Sequence, residues 1–164
     1  MKLKYLILLF SSICFSQNKS IGIYKDAFGN KLELLENNNF KHTWRFDLAA
    51  SWTIGKWKIS NDTLKLEIVK VFDTLTVIDK KTNFIKDSLV LASDENPKRI
   101  TETQNAIKSL LSGGQNRSLP NLLFLIKNNK LIIIKENGKL ETEKITCFWD
   151  TRKKAKTWYI KQDE

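Results

Sequence analysis

The chain has 164 residues, with 28 lysines and arginines against 18 aspartates and glutamates, so its formal net charge is +10 at pH 7. This length suits one domain with a core of its own, because a chain of about 150 residues buries roughly 70% of its unfolded surface. With only two cysteines, the composition excludes a small scaffold that depends on several disulfides.

The first sixteen residues are predicted to be an export signal. Lys2 and Lys4 provide a positive start, residues 5–10 form an apolar run, and a stretch rich in small residues ends at Ser16. The apolar run is too short for a permanent membrane span, which takes about 20 apolar residues. We therefore expect residues 17–164 to form a single exported domain, periplasmic or secreted, with no nucleic acid among its partners.

Cleavage after Ser16 would leave 26 basic and 18 acidic side chains, a net charge of +8. Cys147 would then be the one remaining thiol, and its alternation with Ile145 and Trp149 predicts that it is buried. Two alternatives stay open at the N-terminus. The segment partly resembles a bacterial lipoprotein signal, which would tether the domain through Cys14, or it could persist as an uncleaved anchor helix.

The chain continues as short predicted strands separated by polar turns. The clearest covers residues 39–48, and one of its faces carries Phe40, His42, Trp44, Phe46 and Leu48. Such period-two alternation is typical of a half-buried antiparallel strand. Further strands are predicted at residues 21–25, 31–36, 51–60, 63–71, 75–79 and 88–92. The series predicts a mainly β fold, an antiparallel up-and-down meander that closes into a barrel or a sandwich.

Three predicted turn-to-strand junctions share one short sequence. They are Asp62-Thr63-Leu64, Asp73-Thr74-Leu75 and Asp87-Ser88-Leu89. We favour a local explanation, because Asp, Ser and Thr side chains bond neighbouring backbone at turns. The alternative is that they are acceptors for O-glycosylation, since they resemble the acceptor motif of exported proteins in some bacteria. Sugars would then be attached to Thr63, Thr74 and Ser88.

One helix is predicted, over residues 97–111, with Asn96 as its N-cap, Pro97 in its first turn and Gly113-Gly114 as its stop. We expect its apolar side to pack over the sheet or to plug one end of the barrel. After it come an apolar hairpin at residues 122–126 and 131–134, a strand at 144–149, a charged turn, and a last strand at 157–160.

The front half of the domain resembles a known group of proteins. The resemblance rests on Gly22-Ile23-Tyr24, Leu32-Glu33-Leu34, Asn39-Phe40, Gly55-Lys56-Trp57 and Asp62-Thr63-Leu64. Together these elements resemble small exported bacterial lipocalin-like β-barrel modules of mostly unassigned function, over about residues 21–68. The resemblance implies a barrel and a cavity, and no particular ligand.

Motifs for catalysis and for metal binding are missing from the sequence. The single histidine, His42, lies on an apolar strand face, and no Gly-x-Ser-x-Gly sequence accompanies it. The residue types that bind metals are not clustered. We therefore expect a non-enzymatic protein without cofactor or metal. The alternative is a carboxylate-based hydrolase that would use two of Asp26, Glu33, Glu36 and Asp47.

Two surfaces are candidates for binding. The inner face of the barrel would bind a small apolar or amphipathic ligand, unless its residues pack into a closed core. Its candidate ligand-binding residues are Phe40, His42, Trp44, Phe46 and Trp57. The second surface is basic and comprises Arg152, Lys153, Lys154, Lys156 and Trp158. It suits anionic lipid or acidic polysaccharide, unless it only keeps the chain soluble. The sequence thus predicts a monomeric binding module of the cell envelope, with a basic surface adaptor as the alternative.

Overall fold

The computed structural model describes residues 19–78, 81–82 and 84–163. The predicted export signal and Cys14 lie outside these residues. The elements in chain order are β1 Gly22–Lys25, β2 Asn30–Leu34, β3 Asn39–Phe46, β4 Ala49–Ser60, β5 Thr63–Val69, β6 Phe72–Ile78, β7 Ile85–Leu91, β8 Arg99–Thr101, α1 Glu102–Ser109, β9 Gly113–Gln115, β10 Leu123–Lys127, β11 Lys130–Ile133, β12 Lys144–Cys147, β13 Asp150–Lys156 and β14 Tyr159–Lys161.

Eight of these strands close into an antiparallel barrel. They follow one another around it in chain order, β1-β2-β3-β4-β5-β10-β11-β14, and β14 closes the ring by pairing with β1. The predicted up-and-down meander is confirmed, in its barrel form. Full closure leaves none of these eight strands with an unpaired edge along the ring.

The connections between barrel strands separate into two kinds, one at each end of the barrel. At the first end, which we call the turn end, tight turns join β2 to β3, β4 to β5 and β10 to β11. They contain Asn38, Asn61, Asp62, Asn128 and Asn129, all with positive φ between 47° and 60°. Asn and Asp tolerate this left-handed backbone better than other residues with a Cβ. At the opposite end, the loop end, the short turns 26–29 and 47–48 lie beside two long insertions, residues 70–122 and 134–158.

The hydrophobic core fills the interior of the barrel. Its largest members, all at most 2% exposed, are Tyr24, Phe40, Phe124 and Tyr159. The rings of Phe124 and Tyr159 meet edge to face, with centroids 5.5 Å apart. Trp57 joins this cluster, and its indole Nε1 donates to the Leu35 carbonyl 3.1 Å away. Each large side chain buried in this way stabilises the fold by about 2 kcal/mol.

The first insertion forms a separate sheet beside the barrel. β6 pairs antiparallel with β7 and parallel with β8, while β9 runs parallel to the start of β4. The strands predicted at 75–79 and 88–92 correspond to β6 and β7 with shifted bounds, and residue 79 lies outside the described residues. They do not join the barrel meander, because β6 and β7 pair with each other and β8 covers the second edge of β6.

The helix begins later than predicted. Thr101 is its N-cap, because the Thr101 side chain accepts from the Gln104 amide while the Gln104 side chain accepts from the Thr101 amide. The predicted start at Asn96 and Pro97 is wrong, since the chain next forms β8 and pairs with β6 before it turns into α1. Gly113-Gly114 opens β9 instead of ending the helix. The helix contacts β6 and β8, but none of its residues is buried, and Ile107 on its apolar side is 56% exposed. The predicted packing of that apolar side over the sheet or into the barrel end is therefore not found.

The second insertion is the hairpin of β12 and β13. The segment predicted as a charged turn is most of strand β13, paired with β12 from Lys144 opposite Lys156 to Cys147 opposite Asp150. The turn of this hairpin is Phe148-Trp149 instead. Cys147 is a free thiol and is buried, as predicted.

Candidate functional site

The five residues predicted to line an inner cavity occupy three different environments. Phe40 and Trp57 belong to the packed core, and His42 is fully buried. Trp44 is half-buried near the loop end, where its Nε1 donates to the Phe28 carbonyl 3.1 Å away. Phe46 is 41% exposed. One strand face thus passes from the core to the solvent along β3, and the five side chains do not line one cavity.

His42 takes part in a hydrogen-bonded chain that leads to the loop end. Its Nε2 lies 3.1 Å from Asn30 Oδ1, and Asn30 Nδ2 donates to Asp26 Oδ2 over 2.7 Å. This amide orientation places the imidazole proton on Nε2. His42 Nδ1 and the Oγ1 of its cross-strand partner Thr53 are both buried, and neither has a hydrogen-bond partner within residues 19–78, 81–82 and 84–163. Burial lowers the pKa of His42 to about 4.

We expect this buried neutral histidine to make the fold sensitive to mild acid. Its folded pKa of about 4 lies below the unfolded value of about 6.5, so its contribution to stability is complete above pH 6.5 and is lost as pH falls. Between pH 7.5 and pH 5 the free energy of unfolding should fall by about 2 kcal/mol. Urea unfolding at both pH values measures it. His42→Gln, which retains a donor for Asn30, should be nearly independent of pH in this window, and an equal slope in the two proteins would contradict the assignment.

A pocket of about 300 Å³ opens at the loop end, next to this chain of hydrogen bonds. Its polar lining is Asp26, Asn30, Ser118, Asn121, Thr157 and Tyr159, and its apolar lining is Phe28, Leu119, Ile133 and Ile145. We call it the end pocket. It lies above the filled core, between the β1–β2 turn, the segment before β10 and the β12–β13 hairpin.

The end pocket combines one carboxylate with an unpaired hydroxyl. Burial raises the pKa of Asp26, although hydrogen bonds from Asn30 and from the Phe28 amide act in the opposite direction. Burial, together with the Asp26 charge, raises the pKa of the Tyr159 phenol well above its usual range. Thr157 is one of the lining residues, but its Oγ1 is itself buried and has no partner among the described residues. A molecule in the pocket would therefore meet the Asp26 carboxylate and not this hydroxyl.

Sequence reasoning did not bring these residues together. In the sequence, Asp26 is one of four candidate carboxylates, and Thr157 and Tyr159 follow the basic run in the last predicted strand. They meet because β14 pairs with β1, with Lys25 opposite Ile160. This contact joins residues from the two ends of the chain, and no local pattern signals it.

The predicted basic residues all lie on or beside the β12–β13 hairpin. Arg152, Lys153 and Lys154 are exposed on β13. Lys156 is half-buried, with its Nζ 4.5 Å from the centroid of the Trp158 ring, where it also donates to the Thr142 carbonyl. The structure thus separates an exposed basic strand from a Lys156–Trp158 pair that packs against the molecule.

Of the remaining predicted residues, the carboxylates Asp26 and Glu33 line one open pocket beside β2 and β3, together with the basic residues Lys31, Lys41 and Arg45. Three hydroxyl side chains, those of Thr63, Thr74 and Ser88, are half-buried in β5, β6 and β7. O-glycosylation at these positions stays a prediction. Among the carboxylates, Glu33 forms an ion pair with Lys31, with 3.0 Å between Oε1 and Nζ.

No family model matches this sequence, and no curated protein and no solved structure matches it. Within the part of the chain that the structure describes, no helix combines the length and the apolar character needed to cross a bilayer.

Proposed function

We propose that the chain is an exported, non-enzymatic binding module that holds a small amphipathic ligand in the end pocket. The observation that carries the proposal is a pocket in which the Asp26 carboxylate is the one charged lining group and four apolar side chains form much of the remaining wall. Aromatic side chains pack the barrel interior, so we place the ligand in the end pocket and not on the inner face.

The lining of the pocket favours a ligand with an ammonium group. Asp26 is the one charged residue among those that line it, and it is negative. An ammonium group could donate hydrogen bonds to Asp26, and the rings of Phe28 and Tyr159 add attraction for a cation. The apolar lining would cover a hydrocarbon or aromatic tail. About 300 Å³ limits the ligand to a small molecule.

Calorimetric titration with three phenylalkyl compounds that differ in their polar group tests the proposal. We expect phenethylamine to bind about tenfold more tightly than phenethyl alcohol, since a hydrogen bond between charged groups is stronger than one between neutral groups. Phenylpropionate should bind least, because its carboxylate would meet Asp26. Asp26→Asn should weaken phenethylamine binding about tenfold, whereas Asp47→Asn, in the exposed β3–β4 turn, should leave it nearly unchanged. Equal binding of the amine and the carboxylate, or no effect of Asp26→Asn, would refute the proposal.

A further inference from the structure

Large apolar side chains are exposed on three separate segments at the loop end. Leu48, in the β3–β4 turn, is 82% exposed, and Leu110, directly after α1, is 85% exposed. Phe148 and Trp149, in the turn of the β12–β13 hairpin, are 50% and 46% exposed. Together with Phe46 and Leu111 they form a set that we call the apolar rim. Single exposed apolar residues are ordinary, but a group of this size indicates an interaction surface.

Contacts between the three segments join these residues into one surface. Ser112 Oγ donates to the Leu48 carbonyl over 2.6 Å, which ties the segment after α1 to the β3–β4 turn. The rings of Phe46 and Phe148 meet edge to face at 4.2 Å, which ties that turn to the hairpin. Trp149 packs on Phe28, with ring centroids 5.6 Å apart. These contacts hold the apolar rim in place at the loop end.

The hairpin that carries part of the rim is strongly basic. Residues 144–156 contain five basic side chains and one acidic side chain, a net charge of +4. The side chains of Arg152 and Lys153 are 89% and 72% exposed. The single acid, Asp150, accepts from Arg152 Nε over 3.1 Å, and it leaves most of the positive charge free to act on a partner.

We infer that the apolar rim and the basic hairpin together dock on an anionic lipid bilayer. Leu48 and Leu110 would enter the boundary between head groups and acyl chains, Trp149 would lie at head-group depth, and the lysines would contact lipid phosphates. An acidic polysaccharide or a nucleic acid supplies negative charge but no hydrocarbon for these leucines. A bilayer supplies both. This inference does not depend on a ligand in the end pocket.

Flotation of the full chain with lipid vesicles tests the apolar part. All variants share one N-terminal segment, so a difference between them reports on the substituted residues. Leu48→Ser with Leu110→Ser should lower partitioning onto vesicles with one third phosphatidylglycerol about 30-fold. The matched control is Leu35→Ser with Ile160→Ser, two exposed apolar residues outside the rim, and it should partition as the unmodified chain does. Because both rim leucines are almost fully exposed, the fold should survive their replacement.

Charge replacement tests the electrostatic part. Lys153→Gln with Lys154→Gln should weaken binding to the same vesicles about 10- to 30-fold, and rising salt should reduce this difference. The control removes equal charge from the barrel wall through Lys58→Gln with Lys65→Gln, two exposed cross-strand partners on β4 and β5, and it should have little effect. The inference is overturned if the rim leucine variant binds as tightly as its control. It is also overturned if the hairpin variant Lys153→Gln with Lys154→Gln and the barrel-wall control Lys58→Gln with Lys65→Gln lose binding to the same extent.

Discussion

Gly55→Ala is expected to destabilise the barrel by at least about 3 kcal/mol. In most strands the same change is favourable, because glycine costs roughly 0.5–1 kcal/mol relative to alanine. Here a Cβ would lie 2.7 Å from Phe40 Cε1 and would also overlap the backbone oxygen of Glu67. Gly55 pairs with Phe40 on one side and with Ile68 on the other, so neither neighbouring strand can move away without opening the barrel.

Thermal and urea unfolding measure this effect. A loss of about 3 kcal/mol should lower the Tm of a domain of this size by roughly 10 °C. Gly113→Ala is the matched control, since Gly113 is also in a strand but a Cβ there would meet Ala50 at an ordinary 3.6 Å. The control should keep its Tm within a few degrees. If both variants unfold at the same temperature, close packing at Gly55 does not limit closure of the barrel.

Lys108→Met is expected to cost about 2 kcal/mol and to loosen α1 from the side sheet. The Asp73 side chain is fully buried, and Lys108 Nζ lies 2.7 Å from its Oδ2. Burial raises the pKa of Asp73, but hydrogen bonds from Lys108 and the Lys98 amide outweigh this, so its pKa lies below its ordinary value. Removing Lys108 would leave a buried carboxylate without its cation. We set the cost below that of a deeply buried pair, because the Lys108 side chain is still 17% exposed and water can reach the site.

The pH dependence of this variant identifies the cause. A carboxyl group with a lowered folded pKa stabilises above its unfolded pKa, and the contribution is lost as pH falls below about 4. The difference between the unmodified protein and Lys108→Met should therefore shrink in acid. Asp73→Asn combined with Lys108→Met should recover part of the loss at neutral pH. Arg99→Met, which breaks the exposed pair with Asp87, should change little. A loss that is equal at all pH values would point to packing instead of charge.

Much of the barrel was predictable because its signals are local. Alternation in residues 39–48 identified β3 and the burial of Phe40 and His42, and the Asn-rich turns marked the ends of neighbouring strands. Each depends only on residues a few positions apart. The expected burial of Phe46 and Leu48 on the same face is wrong, because β3 ends at Phe46 and both side chains are exposed at the loop end. The start of α1 was not predictable in this way, because Asn96-Pro97 and Thr101-x-x-Gln104 are both acceptable helix starts. Pairing of residues 99–101 with β6 decided between them.

The candidate sites depended on contacts between distant parts of the chain. The end pocket exists because β14 pairs with β1 and brings Thr157 and Tyr159 to Asp26. The rim exists because Ser112 reaches Leu48 and Phe148 reaches Phe46. In the sequence these residues are separated by up to about 130 positions, and none of them belongs to a recognisable motif.

The sequence by itself determined most of the barrel strands, the burial of Cys147 and the excess of positive charge, but not β8, β9 or β13. Hydrophobic period and turn chemistry act within a few residues, so they can be read along the chain. Only the tertiary structure decided which strands join the barrel, that side chains fill its interior, and that both insertions emerge at the loop end. Those outcomes depend on strand pairing and on the volumes of side chains that meet across the barrel, and neither quantity is local.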